Sequence, residues 1–290
     1  MKTFLQKRDK IKGLKEVEIT LKVTEKIAAA NFHFLRQKEK IFLEYKKELE
    51  KILKRFSLFF PLQKLSFFEA QNKKERKALL LIFGEKGLVG HLWEEIFLSF
   101  LKVKESYQVF WVIGKKGAEY FKEGKIDCQK FFKGIPDDFK EEEIKNIFDF
   151  ILGNFIEGNV SQIDILYPKF KTLLYTPPTL SSFLPLKKEI PDLKEKKEGF
   201  PIFEGRKRKI AETIIKKYIE ASFWEIIIET KLVELSKRAL TLENARAKIE
   251  KIIENLRLSF FKERRKVLTQ KQLESFMAHK FISKIYGKGE

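Results

Sequence analysis

The sequence predicts an α/β protein in which a long helix at each end of the chain pairs with the other as an antiparallel coiled coil, around an inserted α/β domain. Three observations carry this reading. No glycine or proline occurs between Gly13 and Pro61 or between Gly205 and Gly287. Both stretches repeat apolar residues at coiled-coil spacing. The residues between them alternate short apolar runs with helical stretches, the pattern of an α/β domain. The division that follows is an N-terminal coiled-coil helix over 1–60, a Rossmann-like α/β domain with an exposed connection over 61–205, and a C-terminal coiled-coil helix over 206–290.

In the first stretch Leu14, Leu21, Ala28, Leu35, Phe42, Leu49 and Phe56 recur every seven residues, with Val17, Thr24, Tyr45 and Ile52 on an adjacent mixed stripe. In the last stretch Leu232, Leu235, Ala239, Leu242, Arg246, Ile249, Ile253, Leu256 and Phe260 alternate spacings of three and four, and Arg246 alone is polar. This seam extends more weakly through Val267, Gln270, Glu274, Met277 and Phe281. Helices are expected from about Leu14 to Phe56 and from about Leu232 to Phe281. With its extension, the second would reach on the order of 100 Å at 1.5 Å per residue.

In the middle, Ala78–Phe83 (ALLLIF), Val109–Ile113 (VFWVI) and Ile163–Tyr167 (IDILY) read as buried strands. Leu92–Leu101, Gly117–Phe121 and Glu141–Leu152 read as the helices between and beside them. Residues 176–205 hold most of the prolines and the charged stretch Lys187–Glu198, and read as an exposed connection to the last helix.

Composition narrows the function classes. The longest apolar run is six residues, against roughly 20 for a membrane-spanning helix, and the charged first twelve residues hold no secretory pattern, so the protein is expected to begin at or near Met1. A single cysteine, Cys128, leaves no internal disulfide framework or cysteine metal cage and fits a reducing compartment. The formal charge is +19, and its excess lies at the ends. Residues 1–60 carry 16 Lys and Arg against 8 acids and residues 206–286 carry 20 against 10, whereas residues 61–205 carry 23 against 22. Only eleven of the 60 basic residues are Arg, and base readout and bidentate phosphate recognition favour Arg.

Gly84, Gly87 and Gly90 follow the first strand. A phosphate loop needs Lys and then Ser or Thr after its last glycine, and here His91 and Leu92 stand there; the G-x-G-x-x-G fingerprint is also missing. The three glycines are expected to serve a tight strand-to-helix turn requiring positive φ. His33, His91 and His279 show no metal-ligand spacing, and no nucleophile elbow or Cys-His arrangement is present. No catalytic residue, cofactor site or metal site is expected.

Taken in order, Thr20-Leu21-Lys22 and Glu25 to Ala30 near the start, the turn Glu85 to Gly90, Ile113 to Gly117, Tyr167 to Phe170, Leu184 to Leu186, and Glu234, Arg238, Arg264 and Leu268 to Gln270 near the end together resemble the gamma subunit of bacterial F-type ATP synthase. Thr20-Leu21-Lys22 and Glu25-Lys26-Ile27-Ala28-Ala29-Ala30 are similar to that family's opening helix. Glu85-Lys86-Gly87-Leu88-Val89-Gly90 resembles its D-R-G-L-C-G turn, Ile113-Gly114-Lys115-Lys116-Gly117 its I-G-x-K-G, and Tyr167-Pro168-Lys169-Phe170 leading to Leu184-Pro185-Leu186 its N-K-F and L-P-L. Near the end Glu234, Arg238 and Asn244-Ala245, then Arg264 and Leu268-Thr269-Gln270, match its last helix in order. The departures are Thr24 for Met, Val89 for Cys, Arg246-Ala247-Lys248 for T-D-N and Lys271 for Glu, and no cysteine-containing regulatory insertion is present.

The resemblance implies a central-stalk rotor, itself non-catalytic, that transmits torque between a membrane ring and the catalytic hexamer and couples proton or sodium flow to ATP synthesis. Its implied partners are the alpha and beta subunits, epsilon and the c-subunit ring, with basic faces meeting acidic loops on beta, which would account for the terminal charge. Neither nucleic acid nor direct membrane insertion is implied, and the place would be peripheral, on the cytoplasmic face of the bacterial inner membrane. The residues carried over as partner-contact or coupling positions are Lys22, Thr24, Glu25, Glu234, Arg238, Arg264, Thr269 and Gln270. Arg238, four residues after Glu234, is expected to pair with it on the helix surface. The competing readings are a basic coiled-coil protein that binds nucleic acid through phosphates and a diverged gamma paralogue acting in assembly.

Overall fold

The computed structural model describes residues 2–69, 76–136, 141–187 and 204–286, with side chains between residues 5 and 281. The terminal helices are α1, Lys2–Ser57, and α5, Lys207–Tyr286. Both outrun the expected core spans because nothing in their flanks stops them. Gly13 lies inside α1, and one exposed interior glycine weakens a helix by about 1 kcal/mol, too little to end one this long. By contacts, the chain divides into two compact units, residues 1–27 with 240–290, and residues 28–239.

In the first unit α1 and α5 run antiparallel. Lys7 binds Ser259 at 2.6 Å and also Glu263, whereas Glu25, further along α1, meets Arg246 at 3.0 Å, further back on α5. Leu242 and Ile253 of α5 are buried in this unit. The expected extension of the seam does not hold: every side chain from Leu268 to Phe281 is exposed, including Leu273, Phe276 and Met277.

In the second unit the sheet is built from β1 (Lys77–Ile82), β2 (Val109–Ile113), β3 (Lys130–Phe132), β4 (Gln162–Pro168) and β5 (Pro178–Leu184), in the order β3-β2-β1-β4-β5. The first four are parallel, with Ala78 facing Val109 on one side and Ile163 on the other. The helices α2 (Leu92–Val103), α3 (Lys115–Glu123) and α4 (Glu141–Ile156) link and cover them. β1 is central and buried on both faces, so its sequence is continuously apolar. Leu79, Leu81 and Phe83 pack with Ile96 and Phe100 of α2 and Phe121 of α3. Ala78, Leu80 and Ile82 belong to a second cluster with Phe148 and Ile151 of α4 and Ile219 and Phe223 of α5. The mostly parallel sheet covered on both faces is the Rossmann-like domain expected, now with the last helix as one of its walls.

Two strands depart from the sequence reading. β3 is only three residues long and carries no alternation to recognise. β5 lies in the supposed exposed connection, pairs antiparallel with β4 and buries Phe183 and Leu184. Its prolines and serines read as loop, but an edge strand tolerates proline at its start because no ladder hydrogen bond is lost there. The charged stretch Lys187–Glu198 lies, apart from Lys187, outside the described residues. A buried acid on β4, Asp164, is satisfied by the Tyr107 hydroxyl at 2.6 Å and by the Gln162 amide at 2.8 Å. Burial first, and then this carboxylate, raise the Tyr107 pKa.

The α1 seam is correct in one stripe and misplaced in the other. Leu14, Leu21 and Phe42 are half-buried, and Ala28, Leu35, Leu49 and Phe56 are buried. Val17, Tyr45 and Ile52, however, are exposed. The second inward stripe lies four residues after each seam position, at Glu18, Glu25, Phe32, Glu39, Lys46 and Leu53. At 100° per residue a step of four falls 40° from the seam and a step of three 60° on its other side. Four of these six positions are charged; Glu25 and Lys46 find partners on α5 in Arg246 and Glu225, the latter at 2.5 Å, and Glu39 finds one in Arg36 of α1.

Candidate functional site

The positions carried over from the resemblance fall into two groups, one in each unit. In the first unit Lys22 is exposed, Thr24 is half-buried with its hydroxyl on the Thr20 carbonyl at 2.9 Å, and Glu25 binds Arg246. Arg246 also binds Glu250 of its own helix at 2.9 Å. A replacement in the family's T-D-N segment therefore lies opposite one of the carried-over residues, which sequence alone did not join. Arg264, Thr269 and Gln270 are exposed, and Gln270 bonds to Glu274 at 3.0 Å. Lys248 and Lys271 are also exposed.

In the second unit Glu234 and Arg238 are not a surface pair. Glu234 is 2% exposed and Arg238 5%, and Lys231, absent from the sequence reading, is 4% exposed beside them. Glu234 accepts from Arg238 through Oε1 and from Lys231 Nζ at 2.9 Å through Oε2, so both carboxylate oxygens are engaged. Lys231 also donates to the Ile135 carbonyl at 3.0 Å. The expectation of a solvated pair fails because α5 here is a wall of the domain. Its 231–236 segment is buried on every side, so spacing from the seam no longer indicates exposure.

The same cluster explains the first glycine. A Cβ on Gly84 would stand 2.5 Å from Trp93 and 3.0 Å from the Glu234 carboxyl carbon. Gly84 is thus required for close approach of the end of β1 to α2 and α5. Of the three glycines only Gly90 has positive φ, 63°, and the other left-handed position of the turn is Leu88, also 63°. Gly87 meets nothing within 4 Å and needs no special backbone. The turn does use positive φ, but at Leu88 and Gly90 and not at Gly84 or Gly87. Val89 is buried in the core, and His91 stands at the N-cap position of α2 without a side-chain capping bond, its ring nitrogen pairing instead with the Glu94 carboxylate at 2.8 Å.

The Tyr167–Phe170 motif is also anchored to both terminal helices. The Phe170 amide donates to Glu229 of α5 at 3.1 Å, and its ring lies 5.8 Å from that of Phe32 and 5.2 Å from the Arg36 guanidinium of α1. Burial raises the Glu229 pKa, with Lys169, the Phe170 amide and Tyr167 opposing and Glu225 adding to the shift. Sequence could not reveal this, because Glu229 and Phe170 carry no spacing signal that links them.

The chain matches the ATP synthase family model over residues 4–274. It is similar to the ATP synthase gamma chain of Clostridium botulinum, 26% identical over 265 residues, covering 89% of this chain and 91% of that one. It is also similar to the gamma chain of Chlorobium chlorochromatii, 20% identical over 278 residues and covering 93% and 95%. In fold it is similar to a chain of the Euglena gracilis mitochondrial ATP synthase, with a TM-score of 0.67, 14% identity and coverage of 99% and 96%. Among the described residues no helix is long and apolar enough to cross a membrane. With the family's motifs anchoring the inserted domain to both terminal helices, and the match running over nearly the whole length, the chain belongs to the ATP synthase family, among its gamma chains.

Proposed function

We propose that this chain is the non-catalytic central-stalk rotor of an F-type ATP synthase. A central-stalk role follows from its family; the finer assignments are our reading. The paired terminal helices, 1–60 and 206–290, carry torque, and the domain between them, 61–205, meets epsilon and the c-subunit ring. The alpha and beta subunits surround the rod, and the complex lies on the cytoplasmic face of the bacterial inner membrane. The observation that carries this reading is the exposed end of α5, where Leu268, Leu273, Phe276, Met277 and Phe281 are each at least half exposed and Arg264, Thr269 and Gln270 lie among them. An apolar stretch with basic neighbours is suited to a partner with an apolar lining and acidic loops. The nucleic-acid alternative is not favoured by a match to gamma chains over about nine-tenths of the length.

The test is reconstitution of the full chain with alpha, beta, epsilon and the membrane sector, reading ATP hydrolysis and proton uptake into vesicles together. Hydrolysis coupled to uptake is expected only when this chain is present. An assembly that forms and pumps equally well without it would overturn the proposal.

A further inference from the structure

The charges buried in the second unit form a connection that neither the seam pattern nor the family motifs assign. Lys231, Glu234 and Arg238 sit on consecutive turns of α5, each at most 5% exposed. Lys231 reaches out of its helix to the Ile135 carbonyl in the segment after β3. In that same segment the Gly134 amide donates to Glu85 of the glycine turn. Gly84, one residue earlier, packs against the Glu234 carboxylate with no room for a side chain. Its carbonyl accepts from the Lys116 amide of α3 at 3.1 Å. The post-β3 segment is therefore hydrogen-bonded to α5 through Lys231, and the glycine turn is tied to that segment through Glu85 and packs against Glu234 at Gly84.

We propose that Lys231, held in place by Glu234 and Arg238, is a positioning residue that latches the post-β3 segment, and through Glu85 the glycine turn, to α5, so that the inserted domain turns with the helix under load. The physical case rests on direction. An apolar contact holds two surfaces together but resists sliding weakly, because its energy follows buried area and has no preferred geometry. Charge-assisted hydrogen bonds between buried groups are directional, and moving one partner leaves the other desolvated and unpaired. A torque-bearing junction needs that resistance to displacement, and α5 buries three charges where apolar residues would fill the space. Because Glu234 and Arg238 are enclosed by their own chain, their contribution to coupling is internal. Contact with a neighbouring subunit is not required for it.

The latch rests on the rotor reading for its consequence but not for its existence, and two measurements separate them. The first is amide exchange in the full isolated chain carrying Lys231→Met. The latch predicts that amides of Gly84–Gly90 and Ile135 exchange roughly tenfold faster while those of β1 and β4 keep their rates, and that Lys231→Arg restores protection. Unchanged loops, or a uniform rise over the whole chain, overturn it. If Lys231→Met does not fold, the combined Lys231→Met, Glu234→Gln, Arg238→Met variant decides, since it leaves no orphaned charge; normal loop protection in it overturns the latch. The second is the number of protons pumped per ATP hydrolysed in the reconstituted enzyme. It is expected to fall roughly threefold in the folded variant, within the range for positions that carry coupling. An unchanged ratio beside loosened loops overturns the torque role, whereas a wild-type chain that supports no pumping at all defeats the rotor reading instead.

Discussion

Arg246 of α5 donates from Nε to Glu25 of α1 at 3.0 Å and from Nη1 to Glu250 at 2.9 Å. The one polar residue in the α5 seam thus faces an acid on the mostly polar inward stripe of α1. The two helices accept a charge in their seam because each supplies the complement, and the pair fixes their register where apolar packing alone would tolerate a slip.

A double-mutant cycle over Glu25→Gln and Arg246→Gln, followed by thermal unfolding of the isolated chain, should show coupling. Each single change is expected to lower the midpoint, and the double variant to fall by less than the two together. Salt should shrink the difference, since both side chains are about a quarter exposed. Strict additivity would mean that the contact carries no energy.

Reversal of Arg238 should now behave unlike reversal of Arg264. Arg238→Glu places two carboxylates together in a buried site and is expected to cost about 3–5 kcal/mol, measured by urea unfolding. Arg264→Glu is exposed and should unfold as the native chain does. Coupling in the reconstituted enzyme is then the relevant measurement for Arg264, with exposed Lys251→Glu as the control. If Arg264→Glu pumps as well per ATP as the control, that carried-over role fails.

The glycine turn gives a contrast within four residues. Gly84→Ala should destabilise by about 1–3 kcal/mol because Trp93 and Glu234 must move to admit a methyl group. Gly87→Ala should be neutral or stabilising by up to about 1 kcal/mol, since its surroundings are open and the unfolded chain loses freedom. Equal effects at the two positions would contradict the close approach of β1 to α5.

Glu229 carries a pH signature. Burial raises its pKa above the ordinary 4.5; Tyr167, Lys169 and the Phe170 amide face it and oppose the shift, and Glu225 adds to it. The folded carboxyl thus holds its proton more tightly than the unfolded one. Stability falls as pH rises from about 4.5 through the raised folded value, and the loss is complete above it. Glu229→Gln should remove this slope, so its stability relative to the native chain improves with rising pH across that window. Urea midpoints at a series of pH values test it; parallel curves for the two chains would refute it.

Burial pushes the Cys128 thiol up to about 11 from 9.0, against the opposing effect of nearby backbone groups. At pH 8 its thiolate fraction, and with it the rate of iodoacetamide alkylation, should be about 100-fold below that of an unperturbed thiol. Alkylation at the ordinary rate would show that the thiol is not held as described.

The sequence by itself determined the periodic elements. The heptad spacing of Leu14 to Phe56 and the three-four alternation of Leu232 to Phe260 are properties of single helices, and ALLLIF is legible because a central strand is apolar on both faces. The ordered motifs similarly disclosed the family, since each is local. What only the tertiary structure decided is everything that depends on which surface a residue meets. β5 looks like a loop because an edge strand needs little from its own side chains. The outer half of the seam cannot be assigned without the partner, since an inward charge such as Glu25 or Lys46 is recognisable only once Arg246 or Glu225 stands opposite. Glu234 and Arg238 obey a surface spacing yet are buried, because α5 serves at that point as a wall of the inserted domain, and burial is set by distant chain folding over a residue, which no local pattern records.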